Sequence, residues 1–322
     1  MTESPSESLI LRLHEFLQSL PWLPAGYQVE LQVCESSNHT FKVTAGKERY
    51  FVKHFHATSF MPFDRVERFA VQKALANLAW APRPLALSDD QLWQIEQFVE
   101  VECDTLNKAE QGNRQKDVVF KIKQKTKEQT EVSHFASIQK LAEVMALLHS
   151  SFTLTAEPSI STSISNSSLI PKEIKELALI SHWHLYLSYI DKRKQDDYLD
   201  EIHALTPRWQ SMEKTTLCHH DFALNHVVIN PNQHMVFDWE YAAIGHPAFD
   251  VACAIMANNF SSQEAQFLVL AYVKSAHQQG YLINHSEKEI AEQVAAARPL
   301  VELTNRLWFD AYHQQLRQHL AC

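Results

Sequence analysis

Two aspartates carry the clearest chemistry in this chain. Asp221 ends the run Cys218-His219-His220-Asp221, and Asp238 opens the run Asp238-Trp239-Glu240-Tyr241. Between them, two short apolar stretches at 227–229 and 235–237 flank Pro231-Asn232, which reads as a β-hairpin. A hairpin brings its two ends together, so the carboxylates are expected to be neighbours. Two close carboxylates suit a general base beside a Mg²⁺ ligand, or a shared metal site. Either acid alone reads better as a loop cap bonded to backbone N–H groups; the pair across a hairpin reverses that and favours chemistry. A zinc set drawn from Cys218, His219, His220, Asp221 and His226 is the competing metal reading. It is disfavoured because consecutive residues on an extended loop point in opposite directions.

The elements that must position these residues change character along the chain. Leu9, Leu11, Leu13, Phe16, Leu17 and Leu20 are spaced for a leading helix over 6–19. Residues 27–33 alternate as a strand does, 40–44 alternate again, and 49–55 follow a turn at Ala45-Gly46-Lys47. A helix over 63–79 ends before Pro82 and Pro84, and further strands are expected at 84–87 and 92–99. Helical periodicity then dominates: Ile138, Leu141, Ala142, Met145, Leu148 and His149 share one face, 171–190 and 195–205 read as helices, and so do the last eighty residues. A Ser/Thr-rich loop is expected at 150–168. Segment 104–133, with Lys108, Arg114, Lys116, Lys121, Lys123, Lys125 and Lys127, reads as an exposed insertion.

Composition limits the partners. Among 322 residues, 29 Lys and Arg oppose 38 Asp and Glu, a formal charge of −9 that disfavours nucleic acid and anionic membrane. No run is long and apolar enough for a membrane span, and the first twenty residues lack the basic start of a signal peptide. Five scattered cysteines without a CxxC argue for a reducing, cytoplasmic setting. The five glycines form neither GxGxxG nor a Walker loop, which makes dinucleotide-fold and P-loop chemistry poor candidates.

The block Phe237-Asp238-Trp239-Glu240-Tyr241-Ala242-Ala243-Ile244-Gly245-His246-Pro247-Ala248-Phe249-Asp250, preceded by His219-His220-Asp221, resembles the aminoglycoside phosphotransferase and choline kinase superfamily. Its thiamine kinase-like and bacterial choline kinase-like members are the most similar. The N-terminal half agrees, with Ser37-Asn38-His39-Thr40-Phe41-Lys42-Val43 resembling the family's nucleotide-covering loop and Tyr50-Phe51-Val52-Lys53 its lysine strand. The resemblance implies an α+β, protein-kinase-like two-lobed fold: a small antiparallel-sheet lobe over 1–99 and a large, mostly helical lobe over 100–322. It implies an ATP-dependent kinase that phosphorylates a primary hydroxyl, with Mg²⁺ as metal.

The same resemblance implies roles. Asp221 is the catalytic base and Asp238 a Mg²⁺ ligand. Asn38, Lys53, Gln97 and Phe98 face the nucleotide, and Glu67 pairs with Lys53. Asp250 pins the catalytic loop, His219 supports it, and His149 is structural. The motif asks for an Asn five residues after the catalytic Asp as second metal ligand; this chain has His226 there and Asn225 one place early. Neutral imidazole suits hard Mg²⁺ poorly, so a pseudokinase of the same fold is the alternative. Trp239, Glu240, Tyr241 and Trp308 are expected around a cationic substrate, thiamine first, choline second and an aminoglycoside or other amino alcohol third.

Overall fold

A computed structural model describes residues 7–32, 38–55, 61–100, 127–154, 170–230 and 233–320. It opens with α1 (Glu7–Gln18), whose Leu9, Leu13, Phe16 and Leu17 are buried. Strands β1 (Gln28–Leu31), β2 (Asn38–Ala45), β3 (Glu48–Phe55), β4 (Pro84–Leu87) and β5 (Trp93–Gln97) form one sheet, ordered β1-β2-β3-β5-β4, with every pairing antiparallel. β2 and β3 turn at Gly46, whose φ of +64° a side chain would resist. Alternation gives the sheet two faces. Phe41, Val43, Val52, Trp93 and Ile95 pack under α1, while Lys53, Gln94 and Glu96 stand on the other face. β1 is an exposed edge strand, not the half-buried one its alternation implies.

α2 (Arg65–Asn77) follows, started by Asp64, whose carboxylate accepts from the N–H groups of Val66 and Glu67. Its Val71 and Leu75 join the core of the helical part rather than that of the sheet and α1. That core is built from α3 (Lys127–Ser151), α4 (Leu179–Ser188), α5 (Lys192–Ser211), α6 (Pro247–Ala257), α7 (Ser262–Gln278) and α8 (Glu287–Leu320). The antiparallel sheet beside a helical lobe is the two-lobed architecture expected from the sequence.

Several expectations shift. The helix anticipated over 171–190 starts only at Leu179; before it, Ile244 N–H donates to Lys175 O, and Leu177 N–H donates to Ile244 O. The insertion anticipated over 104–133 lies outside the described residues as far as 126, and from Lys127 the chain is already α3. The loop anticipated at 150–168 falls mostly outside them too. No helix among the described residues is long and apolar enough to cross a membrane.

Candidate active site

The site hangs on a hairpin within a hairpin. β6 (Thr216–Cys218) pairs antiparallel with β9 (Ala243–Gly245), and between them β7 (Val227–Asn230) pairs with β8 (Gln233–Val236). The inner hairpin was legible in sequence; the outer pair was not. Together they force the loop after β6 against the loop after β8. Donor atoms of Asp221, His226 and Asp238 accordingly lie within 4.8 Å of one another.

Each loop is held by buried polar bonds. Asp250, fully buried in the first turn of α6, accepts from the N–H of His219 at 2.9 Å and of His220 at 2.7 Å. His149 bonds Asp250 through Nε2 at 3.1 Å and Tyr272 through Nδ1 at 2.8 Å. Burial favours a neutral Asp250, but the His149 bond and neighbouring histidines outweigh it and hold the carboxylate ionised. His219 Nε2 donates to Phe237 O, and its Nδ1 accepts from Asp221 N–H. Both nitrogens are thereby used, and burial drives the ring's pKa down to about 4, so His219 supports the loop as a neutral ring. His220 adopts φ 64° and Asp238 φ 62°, left-handed conformations that cost on the order of 1–3 kcal/mol and collect at functional sites. Gly245 leaves room for the His220 ring: a Cβ there would stand 2.6 Å from His220 Nε2.

The zinc set does not converge. Cys218 is buried beside His149 and Asp250, whose polar atoms are already bonded, and His219 and His220 donate to backbone carbonyls. The donors that do converge on one point, Asp221, His226 and Asp238, fit a divalent cation with mixed oxygen and nitrogen ligands. His226 Nδ1 lies 2.8 Å from Asp221 O and its Nε2 4.0 Å from Asp238 Oδ2. Asn225, next to it, is exposed.

Lys53 reaches this cluster from the sheet, its Nζ 3.1 Å from Asp238 Oδ1. Burial alone would depress the ammonium; Asp238 and then Glu96 outweigh that and hold it above the ordinary lysine value. Glu67 does not meet Lys53. It lies in the first turn of α2 and pairs with Lys175. The α2 side chain buried against the sheet is Gln72, which donates to Glu96 at 2.7 Å; Glu96 also accepts from Gln94. Glu96 is thus a site acid that the sequence reading missed. Its signal was a polar alternation, Gln94 and Glu96, on the strand face that Lys53 shares. Asn38 is buried at the start of β2, opposite Phe55. Gln97 ends β5 and Phe98 follows it; their N–H groups donate to Arg83 O and Arg49 O.

Asp221 and Asp238 open into a cavity of about 500 Å³ between α2, α4, the paired loops and α8. Phe63, Tyr186, Tyr241 and Trp308 give it aromatic walls, and Asp64, Glu67, Glu176 and Glu240 add acids. Tyr241 meets Phe63 edge-on with centroids 5.5 Å apart, and Trp308 stacks on Tyr312 at 5.2 Å. Glu240 faces Arg65 at 3.6 Å; burial, and then Asp238, raise its pKa above the carboxylate range. Trp239 is absent from the walls. Its indole N–H donates to Val236 O and its ring packs on His219, so it is a core residue beneath the site.

Chemically, two carboxylates and an imidazole line an acidic, aromatic cavity, and a lysine from the sheet pairs with one of the carboxylates. Solved structures share the architecture. Choline kinase LicA from Streptococcus pneumoniae superposes with a TM-score of 0.62 at 16% identity, over 96% of this chain and 92% of that one. Plasmodium vivax ethanolamine kinase gives 0.58 at 14% identity, over 95% and 82%. In sequence, 123 residues are 22% identical to protein LicA of Haemophilus influenzae, covering 35% of this chain and 46% of that protein, less than half its length. Residues 32–283, most of the chain, match the model of the phosphotransferase enzyme family, and the chain belongs to that family.

Proposed function

We propose that this phosphotransferase moves the γ-phosphoryl group of ATP to the hydroxyl of a small cationic alcohol. The observation that carries the reading is the shared cavity. Its aromatic and acidic walls include Asp221 and Asp238, and Lys53 pairs with Asp238. In this reading Asp221 orients the substrate hydroxyl and takes its proton, while Lys53 pairs with phosphate oxygens. Asp238 and His226 would hold the divalent cation, which supplies charge neutralisation on the phosphates when bound. Aromatic faces and acids are what a fixed positive charge requires.

The similarity to choline and ethanolamine kinases moves choline ahead of thiamine as the first substrate to test. An aminoglycoside remains third. His226 supports a second reading, a binding protein of the same fold without turnover, because imidazole replaces an oxygen ligand. Single-turnover consumption of ATP with choline, ethanolamine, thiamine and an aminoglycoside separates them. Stoichiometric ADP and a phosphomonoester with one alcohol support the kinase; nucleotide binding without ADP from any alcohol supports the other.

A further inference from the structure

The tautomer of His226 can be read from its surroundings. Nδ1 lies 2.8 Å from the carbonyl oxygen of Asp221. A carbonyl only accepts, so Nδ1 carries the proton and Nε2 keeps its lone pair. Nε2 is the nitrogen turned toward Asp238, 4.0 Å from Oδ2, too far for a hydrogen bond and suited to a shared ion. The side chain is only 12% exposed, so that lone pair looks into the site rather than into solvent.

The ring is also held in place. His226 N–H donates to Ala223 O, and His226 O accepts from Phe237 N–H, which ties both ends of the residue. A histidine that donates one N–H to a backbone carbonyl and turns its other nitrogen toward a carboxylate has the arrangement of metal-ligating histidines. Asn225, the amide that would have supplied oxygen, is exposed on the outside of the turn.

Donor chemistry then selects the ion. Mg²⁺ is hard, dehydrates reluctantly and favours all-oxygen octahedra. Imidazole nitrogen favours borderline first-row ions, whereas carboxylate and phosphate oxygens suit Mn²⁺ as well as Mg²⁺. We infer that the cation site formed by His226 and Asp238, beside Asp221, is a mixed nitrogen–oxygen site selective for a divalent ion that takes a nitrogen ligand more readily than Mg²⁺ does, Mn²⁺ in particular, with His226 Nε2 as a direct ligand. Mn²⁺ combines a nitrogen with several oxygens in one octahedron, which leaves positions for phosphate oxygens. The inference rests on reading this cleft as a phosphotransferase site.

The test is Mn²⁺ binding to the full chain, followed by electron paramagnetic resonance with Mg²⁺ as competitor. It is run with and without a non-hydrolysable ATP analogue, on wild type, His226→Asn and Asn225→Ala. Wild type should show hyperfine coupling to a histidine nitrogen that changes with ¹⁵N-histidine labelling. His226→Asn should lose that coupling and lower the Mn²⁺-over-Mg²⁺ selectivity by about tenfold or more, the usual scale for disturbing a metal ligand's support. Asn225→Ala should retain both. Absence of nitrogen coupling in wild type, or equal selectivity in wild type and His226→Asn, overturns the inference. The isotope test on wild type decides the matter even if the variant folds poorly. Nitrogen-coupled Mn²⁺ without analogue binding would sink the phosphotransferase reading and leave this one standing. Analogue binding with equal use of the two ions and no nitrogen coupling would do the reverse.

Discussion

Lys53 Nζ meets Asp238 Oδ1 at 3.1 Å across 185 residues of chain. One residue belongs to the sheet, the other to the loop after β8, and their side chains are 11% and 19% exposed. Each is the other's counter-charge in a site where an unpaired ion would be costly. Phosphate oxygens entering the cleft would compete with Asp238 for Lys53 and free the carboxylate for a cation.

Lys53→Ala should therefore do two things. It should destabilise the chain by about 3–5 kcal/mol, the scale for stranding one buried ion. It should also abolish the rise in melting temperature produced by millimolar ATP with a divalent cation, as should Asp238→Ala. A full nucleotide shift in Lys53→Ala would remove the lysine from the phosphate site.

Asp221→Asn keeps the backbone carbonyl that holds His226 while removing the base. Turnover should fall by roughly 10²–10⁴, the range for losing a general base. The nucleotide-induced thermal shift should persist, since binding is assigned mainly to Lys53 and Asp238. Unchanged turnover would mean that another group takes the proton.

Trp308→Ala tests the aromatic wall. A cation–π contact contributes about 0.5–2 kcal/mol, so KM for a cationic alcohol should rise roughly 2- to 30-fold. An uncharged isostere of the same shape should be affected much less. Equal losses for the two would show that Trp308 supplies only packing.

Acid should weaken the fold through depressed histidines, His246 and His182 as well as His219. His246 caps α6, its Nδ1 accepting from Ala248 N–H, and its pKa is pushed down to about 4, chiefly by burial and then by His149. His182, on the cavity wall, is also lowered to about 4, by burial first and then by His220 and Arg68. The unfolded chain takes these protons near pH 6.5 and the folded one only near 4. Stability should therefore be complete above about pH 6.5 and decline toward pH 4, by on the order of 2 kcal/mol for each group. His246→Asn keeps a capping oxygen and should flatten that decline in denaturant titrations; an unchanged pH profile would exclude His246 as a contributor.

What the sequence disclosed depended on the range of the signal. The inner hairpin was readable because apolar stretches flank Pro231-Asn232, and it brought Asp221 and Asp238 together. The outer pair, β6 with β9, has three residues per strand, all buried, and offers no alternation to read. Glu67 was assigned to Lys53 by motif order, but helix register places Gln72 against the sheet instead, and Glu96 comes from a different element. Trp239 and Trp308 look alike as residue types. Only packing shows that the first lies beneath the site and the second on its wall. His226 was legible as a departure; the carbonyl that fixes its tautomer was not, because that bond depends on the turn at Leu224–His226.

The central claim is phosphoryl transfer from ATP to a small cationic alcohol, and ³¹P magnetic resonance of a single-turnover mixture tests it most directly. Enzyme, ATP, divalent cation and choline, with thiamine in a parallel sample, should yield ADP and a new phosphomonoester in equal amounts, and Asp221→Asn should form both roughly 10²–10⁴ more slowly. Nucleotide that binds yet stays intact with every alcohol, under Mg²⁺ and Mn²⁺ alike, would contradict the account.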